Sequence, residues 1–184
     1  MFNWKKQYKT LSLVALAAIA CATMNTACSS SKDAAAVPTP QGTIPLESVR
    51  VGMPESTFKD AILTFVQDPN GNILGKVQYL SRGRDANGGQ YLVQCKDGRC
   101  FGLLVLHKDQ PISKDQALAT MDKLFPADKP AQSKVDDQQL KAGSSDTPTV
   151  TYFFGDSYKG ELIYADKAGS KVKYVTAWFE KLPS

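Results

Sequence analysis

Two hydrophobic rhythms run along this chain from about residue 46 onward. The first is helical. Phe58, Ala61, Ile62, Phe65 and Val66 recur at i, i+3, i+4, i+7 and i+8, which predicts an amphipathic helix of about three turns. Thr57 with Asp60 reads as its capping box, and Asp68-Pro69-Asn70-Gly71 as its end. The second rhythm is that of strands. Lys76 to Ser81 carries Val77, Tyr79 and Leu80; Gln90 to Cys95 places Tyr91, Val93 and Cys95 on one side; Cys100 to His107 is nearly all apolar. Arg82 to Gly89, rich in Gly and Arg, reads as a flexible polar loop between the first two strands.

The plan then recurs. Ser113 with Gln116 forms a second capping box, and Ala117, Leu118, Met121, Leu124 and Phe125 a second apolar stripe. A shift of 56 residues lays Thr57 on Ser113, Ala61 on Ala117, Ile62 on Leu118 and Phe65 on Met121. After a polar loop, Pro126 to Pro148, three further strands are predicted: Thr149 to Phe154, Tyr158 to Ala165 and Lys171 to Lys181. The chain thus reads as helix–β–β–β twice, as repeats 46–108 and 109–184 or as a coincidence within one α+β domain. Runs of strands beside separate helices imply an α+β fold, an antiparallel sheet with helices packed on one face and the other face partly open.

The N-terminal residues change the picture of where such a domain works. Lys5, Lys6 and Lys9 precede the uncharged run Leu11 to Ala20, the pattern of a secretory signal in residues 1–20. That run is too short to span a membrane, which takes about 20 apolar residues. Residues 21–45, with Ser29 to Pro45 rich in Ser, Ala and Pro, read as a flexible tether, and 46–184 as the folded domain. The formal net charge of +4 belongs largely to the signal lysines, and no Lys/Arg block remains that would suit nucleic acid.

Ala18-Ile19-Ala20-Cys21 resembles the lipobox of bacterial lipoproteins, in which the cysteine is lipidated; Asn25-Thr26-Ala27-Cys28 is the alternative, with a polar residue where an apolar one is wanted. Ordinary cleavage after Ala20 would instead release a secreted protein. Cys95 and Cys100 flank Lys96-Asp97-Gly98-Arg99, a hairpin turn signal. Residues opposed across a hairpin lie about 5.5 Å apart, which suits a disulfide in an oxidising compartment. A metal pair or redox thiol would need a CxxC or a joining His/Cys cluster, and neither is present.

Leu46 to Val66 (LESVRVGMPESTFKDAILTFV) resembles the opening of the SmpA/OmlA (BamE-type) outer-membrane lipoproteins, whose fold is related to that of the β-lactamase-inhibitor protein. The resemblance covers about twenty residues and the element order. Gln67-Asp68-Pro69-Asn70 stands where that family carries Gly-x-Pro after the helix, so only the fold and the character of a binding protein are implied.

Chemistry is sparse. His107 is the one histidine, reads as a satisfied or surface strand-end residue, and leaves no Ser/His/Asp arrangement without it. Asp68 to Asn72 lacks the Gly position and bidentate Glu of a calcium loop. No cofactor, metal or catalytic residue is assigned, and an enzyme is not expected. Tyr174, Thr176 and Trp178 share one face of the last strand, opposite Val175, Ala177 and Phe179; the Tyr/Trp face is a partner surface if it escapes the helices, and core is the plainer reading of all of it. Arg82 and Arg84 are further contact candidates, and solvation is the plainer reading of both. The expected function is that of a non-catalytic binding or scaffolding lipoprotein at the periplasmic side of the outer membrane, held by its N-terminal lipid and engaging an envelope protein. The alternatives are an inhibitor of an extracytoplasmic hydrolase and, for location, secretion or the cell surface.

Overall fold

The structure, a computed structural model, describes residues 41–71, 76–143 and 145–179. The signal segment, Cys21 and Cys28 lie outside the described residues. The described chain is tied to the domain from its start: the Gly42 carbonyl accepts the Leu63 amide at 2.9 Å, and the Ile44 amide donates to Thr64 Oγ1 at 3.0 Å. The domain therefore includes residues ahead of Leu46, inside the stretch read as tether.

Among the described residues there are three α-helices, α1 (Glu55–Asp60), α2 (Lys114–Leu124) and α3 (Gln138–Ala142), and one turn of 3-10 helix, Leu46–Ser48. The strands are β1 (Phe65–Asp68), β2 (Val77–Ser81), β3 (Gln90–Lys96), β4 (Arg99–Leu106), β5 (Ile112–Ser113), β6 (Gln132–Asp136), β7 (Thr149–Phe154), β8 (Tyr158–Tyr164) and β9 (Lys171–Phe179). They form one antiparallel sheet in the order β1-β2-β3-β4-β9-β8-β7-β6, with β5 pairing the start of β9. Each half is a four-stranded meander preceded by a helix. The last strand of each, β4 and β9, pair at the centre, Leu103 opposite Ala177 and Val105 opposite Val175.

Both helices that precede the meanders lie on the same side. Phe58 of α1 packs edge-to-face on Phe65 at 5.4 Å and tilts against Tyr79 of β2 at 5.9 Å. Met121 of α2 presses on Gly160 of β8, where any Cβ would collide with its sulfur. The core is therefore the helix-side parity of the central strands: Tyr91, Val93, Leu103, Val105, Val150, Leu162, Tyr164, Val175 and Ala177 are all buried. The sequence places the apolar residue at every second position, so the sheet can bury one face continuously.

The first helix departs from its expected length. It has six residues, its N-cap is Pro54 without a side-chain cap bond, and Thr57 lies inside its first turn rather than capping it. At Ala61 the backbone leaves the helix with φ −85° and ψ 50°. Thr64-Phe65-Val66, rich in strand-favouring side chains, then pairs with β2, Phe65 opposite Ser81 and Val66 opposite Leu80. Phe58, Ala61 and Phe65 are buried as the helical stripe requires, but Ile62 and Leu63, at the turn, are 62% and 60% exposed. Asp68-Pro69-Asn70-Gly71 does turn the chain, with Asp68 Oδ1 accepting the Asn70 amide at 2.9 Å.

The second helix forms as expected. The Ser113 hydroxyl accepts the Gln116 amide at 3.3 Å, and Gln116 Oε1 accepts the Ser113 amide at 3.0 Å. Ala117, Met121 and Leu124 are buried by it, and Phe125 just beyond it. The polar stretch 126–148 is not a plain loop: it contains edge strand β6 and helix α3, which closes on Gly143 in the left-handed conformation.

Candidate functional site

The face of the sheet opposite the helices carries no described helix or loop, and the strand register lays its residues out in three rows. The central row crosses eight strands as Val66, Leu80, Leu92, Leu104, Thr176, Glu161, Thr151 and Asp136. To one side run Gln90, Leu106, Tyr174, Ile163 and Thr149. To the other run Asp68, Gln78, Gln94, Gly102, Trp178, Lys159, Phe153 and Lys134. Strands are about 4.8 Å apart, so Val66, Leu80, Leu92, Leu104, Leu106, Tyr174 and Ile163 form one contiguous apolar field. Except for Val66, which is exposed, each of these is half-buried, as side chains are when only their neighbours on an open sheet shield them.

This settles which face of β9 the helices cover. Val175 and Ala177 are fully buried beneath them, whereas Tyr174 and Trp178 stand half-exposed on the open side. Tyr174 pairs with Leu106 and Trp178 with Gly102, four residues apart on the strand and therefore about 13 Å from one another. The Trp178 indole lies flat on the Gly102 backbone, and a Cβ at Gly102 would collide with its Cε3 and Cζ3. Phe101, displaced by the irregular register beside Cys95, brings its ring to 6.3 Å from the indole, with the Lys76 ammonium 5.1 Å from that ring. On the β8–β6 side the face becomes charged: Lys159 pairs with Glu161 at 3.4 Å, and Lys134 lies 5.4 Å from the Phe153 ring. An aromatic and aliphatic centre bordered by a mixed-charge rim is the composition of a protein-binding patch.

Arg82 and Arg84 lie beyond the end of β2, on the loop that leads into Gln90, at the same end of the sheet as Leu106 and Tyr174. Neither is free. Arg82 Nε donates to the Ile62 carbonyl at 3.0 Å; Arg84 donates to the Gly88 carbonyl at 3.0 Å and pairs with Asp109 at 2.8 Å. The loop is built on Asp85, whose Oδ1 accepts the amides of Asn87 and Gly89 at 2.9 and 2.8 Å. The arginines are thus held at one end of the open face, by Tyr174, while Trp178 occupies the other.

His107 is neither satisfied nor at the surface. It is 0% exposed, and neither ring nitrogen makes a hydrogen bond of good geometry among the described residues, although the Asn87 main chain lies close enough to favour the protonated ring. Its helix-side parity puts it under the Asp85 loop, against Gly89, where a Cβ would collide with Cε1 of the ring. Burial holds its pKa below the usual value, while the nearby Asp85 charge and the Asn87 main chain oppose that shift and Arg84 reinforces it. Cys95 and Cys100 are direct cross-strand partners, fully buried, and are not bonded to each other in this structure. Burial raises both pKa values, that of Cys95 to about 12, so neither is poised as a thiolate.

The Leu80, Leu92, Leu104 and Leu106 side of the patch is not singled out by sequence reasoning. Its signal is nonetheless there: β4 is apolar at both parities, Leu103 and Val105 on one and Leu104 and Leu106 on the other, which is more than one buried face requires. Among the described residues no three His, Cys, Asp or Glu side chains gather where a metal could sit, and no helix is long and apolar enough to cross a membrane. Compared with protein-family models, curated proteins and solved structures, the chain matches none.

Proposed function

We propose that this chain is a membrane-tethered binding module of the bacterial cell envelope, anchored through lipid on Cys21 and capturing a partner protein on the open face of its sheet. The observation that carries the reading is the contiguous field of Val66, Leu80, Leu92, Leu104, Leu106, Tyr174 and Ile163 with Trp178 beside it, all partly accessible around the buried Thr176. Contiguous apolar patches on an accessible face, rimmed by polar residues, often mark protein-binding sites. Trp and Tyr in such a field are the side chains that most often dominate binding energy, at about 2 kcal/mol or more each. His107 lies on the helix side, under the Asp85 loop, and contributes nothing to that face. An inhibitor of an extracytoplasmic hydrolase would use the same face and differs only in the partner it meets.

The test is photocrosslinking in cells. A benzophenone side chain at Leu104 or Tyr174 should yield a discrete adduct with an envelope protein, and one at Asp156, in an exposed turn, should not. Adducts from Asp156 but none from the open face would overturn the proposal. The anchor is read separately from intact mass: acylation should disappear in Cys21→Ser, and its survival there would move the lipid to Cys28.

A further inference from the structure

A second feature lies away from the open face, on the helix side where the two halves meet. A groove of about 590 Å³, broadly open to solvent, is bordered by Arg50, Met53, Arg99, Asp128, Tyr158 and Phe179. This is the size of an ordinary ligand site. Its floor is aromatic: the Tyr158 and Phe179 rings are 5.0 Å apart, and Phe125 supports Tyr158 edge-on at 5.6 Å.

One wall is held rigidly. The Val51 amide donates to the Leu124 carbonyl at 2.8 Å, and Gly52 and Met53 are laid as an added strand along the end of the β3–β4 hairpin. The Gly52 amide donates to the Cys100 carbonyl and the Cys100 amide to the Met53 carbonyl, both at 2.8 Å. Gly52 has φ +92°, a conformation that glycine adopts readily, and its Cα faces the Phe179 ring. The wall is therefore shaped before anything binds, which lowers the entropic cost of binding.

The charges are unbalanced. Arg50 is fixed by its own main chain, donating to the Glu47 carbonyl at 2.9 Å, which orients the guanidinium without neutralising it. Arg99 is exposed and has no acidic partner among the described residues. The one acid in the lining, Asp128, is contributed by the segment after α2 and stands near the Tyr158 hydroxyl, whose pKa is raised by burial and then by that charge. Two guanidinium groups and one carboxylate over an aromatic floor suit an anion attached to an apolar body.

We infer that this groove binds an extended peptide segment of a partner, an aromatic or large aliphatic residue resting on Tyr158 and Phe179 with a neighbouring Asp or Glu side chain held by Arg99 and Arg50. The inference rests on the reading that the partner is a protein and names the chemistry of one of its segments. Asp128 opposes a second acid in the segment and so sets its direction. A broad, open groove fits a segment running through it better than a small molecule, which is normally enclosed over most of its surface.

The experiment is selection of a random-peptide phage library on the mature full-length protein, run in parallel on Arg99→Glu, Asp128→Lys and Trp178→Ala. Arg99 is exposed and unpaired among the described residues, so its reversal should leave the melting temperature unchanged, which is checked first. Wild type and Trp178→Ala should select Asp or Glu next to Phe, Trp or Leu. Arg99→Glu should lose the acid or exchange it for Lys or Arg, and should weaken binding of a fluorescein-labelled wild-type peptide by at least about tenfold, the effect of losing roughly one charge-assisted contact. Asp128→Lys should tolerate a second acid in the selected peptides. Selection that ignores Arg99→Glu but collapses in Trp178→Ala would put the peptide on the open face and overturn the inference. Absence of any enrichment would also overturn it, leaving the open-face reading to its crosslinking result.

Discussion

Replacing His107 by Leu should make this protein both more stable and less sensitive to acid. The ring is 0% exposed, and neither nitrogen makes a hydrogen bond of good geometry among the described residues, the Asn87 main chain giving one of them partial compensation. A neutral imidazole has one donor and one acceptor, and each buried group left unsatisfied costs about 1–3 kcal/mol. Leu is of similar size, and an apolar exchange of similar volume costs less than about 1.5 kcal/mol in shape mismatch. With one group partly compensated by the Asn87 main chain, the net expectation near neutral pH is a gain of up to about 3 kcal/mol. The acid response follows from the lowered pKa. The unfolded chain titrates near 6.5, the buried ring below that, so as pH falls through about 6.5 the unfolded state takes up a proton that the folded state resists. His107 thus costs nothing extra above about pH 7.5, and between there and about pH 5.5 it removes up to about 1.4 kcal/mol, the most one unshared proton can do. Asp85 and the Asn87 main chain reduce that figure, and Arg84, itself paired with Asp109, restores part of it. Urea unfolding of both proteins at the two pH values reads the difference directly, because the carboxylates titrate alike in each. Parallel stability curves for wild type and His107→Leu, or a less stable variant at neutral pH, would refute the reasoning, showing that the imidazole has partners or protonates freely inside the fold.

Gly102→Ala should push the indole of Trp178 off the β4 backbone, because the new Cβ would occupy the position of Cε3 and Cζ3; the cost should be roughly 1–3 kcal/mol of overpacking, with a red-shifted tryptophan emission, and an unchanged spectrum would contradict the contact. Cys95 and Cys100 are direct cross-strand partners, so protein matured in an oxidising compartment should be lighter by two hydrogens and more stable than its reduced form by no more than about 3 kcal/mol, the value for a longer, 15-residue loop. Free thiols in non-reduced, exported protein would sink that expectation. In reduced, folded protein both should react slowly with alkylating reagents, since burial raises both pKa values.

What could be read in the sequence was local. The Ser113/Gln116 capping box and the Ala117, Met121, Leu124 stripe lie within one turn of each other, and α2 forms where they place it. The strands β2, β3, β4, β7, β8 and β9 follow from alternation and turn residues in the same way. The first helix failed because its last two turns compete with a strand partner distant in sequence: Phe65 to Asp68 gains the ladder with Gln78 to Ser81, and no local signal weighs that. Strand β6 was hidden for the opposite reason. Gln132-Ser133-Lys134-Val135-Asp136 is an edge strand exposed over most of its length, has little alternation to detect, and exists by pairing with β7. The parity of Tyr174 and Trp178 was visible, but which parity the helices cover is decided by where Phe58 and Met121 land. His107 looked like an ordinary strand end because the loop that buries it arrives through Gly89, eighteen residues earlier.

The central claim, that the open face is where a partner is held, is tested most directly by Trp178→Ala, with melting temperature and recovery of the photocrosslinked partner from Leu104 measured on the same preparation. Trp178 is half-exposed and packs on Gly102 and Phe101 rather than in the core, so its loss should cost well under the roughly 3–5 kcal/mol of a core Trp→Ala change. The account predicts a folded protein, melting within a few degrees of wild type, from which the partner is lost by about thirtyfold or more, as truncation of an interface anchor worth about 2 kcal/mol requires. A variant that melts far below wild type would place Trp178 among the residues that hold the fold together, and one that stays folded and captures its partner undiminished would remove the open face from the function.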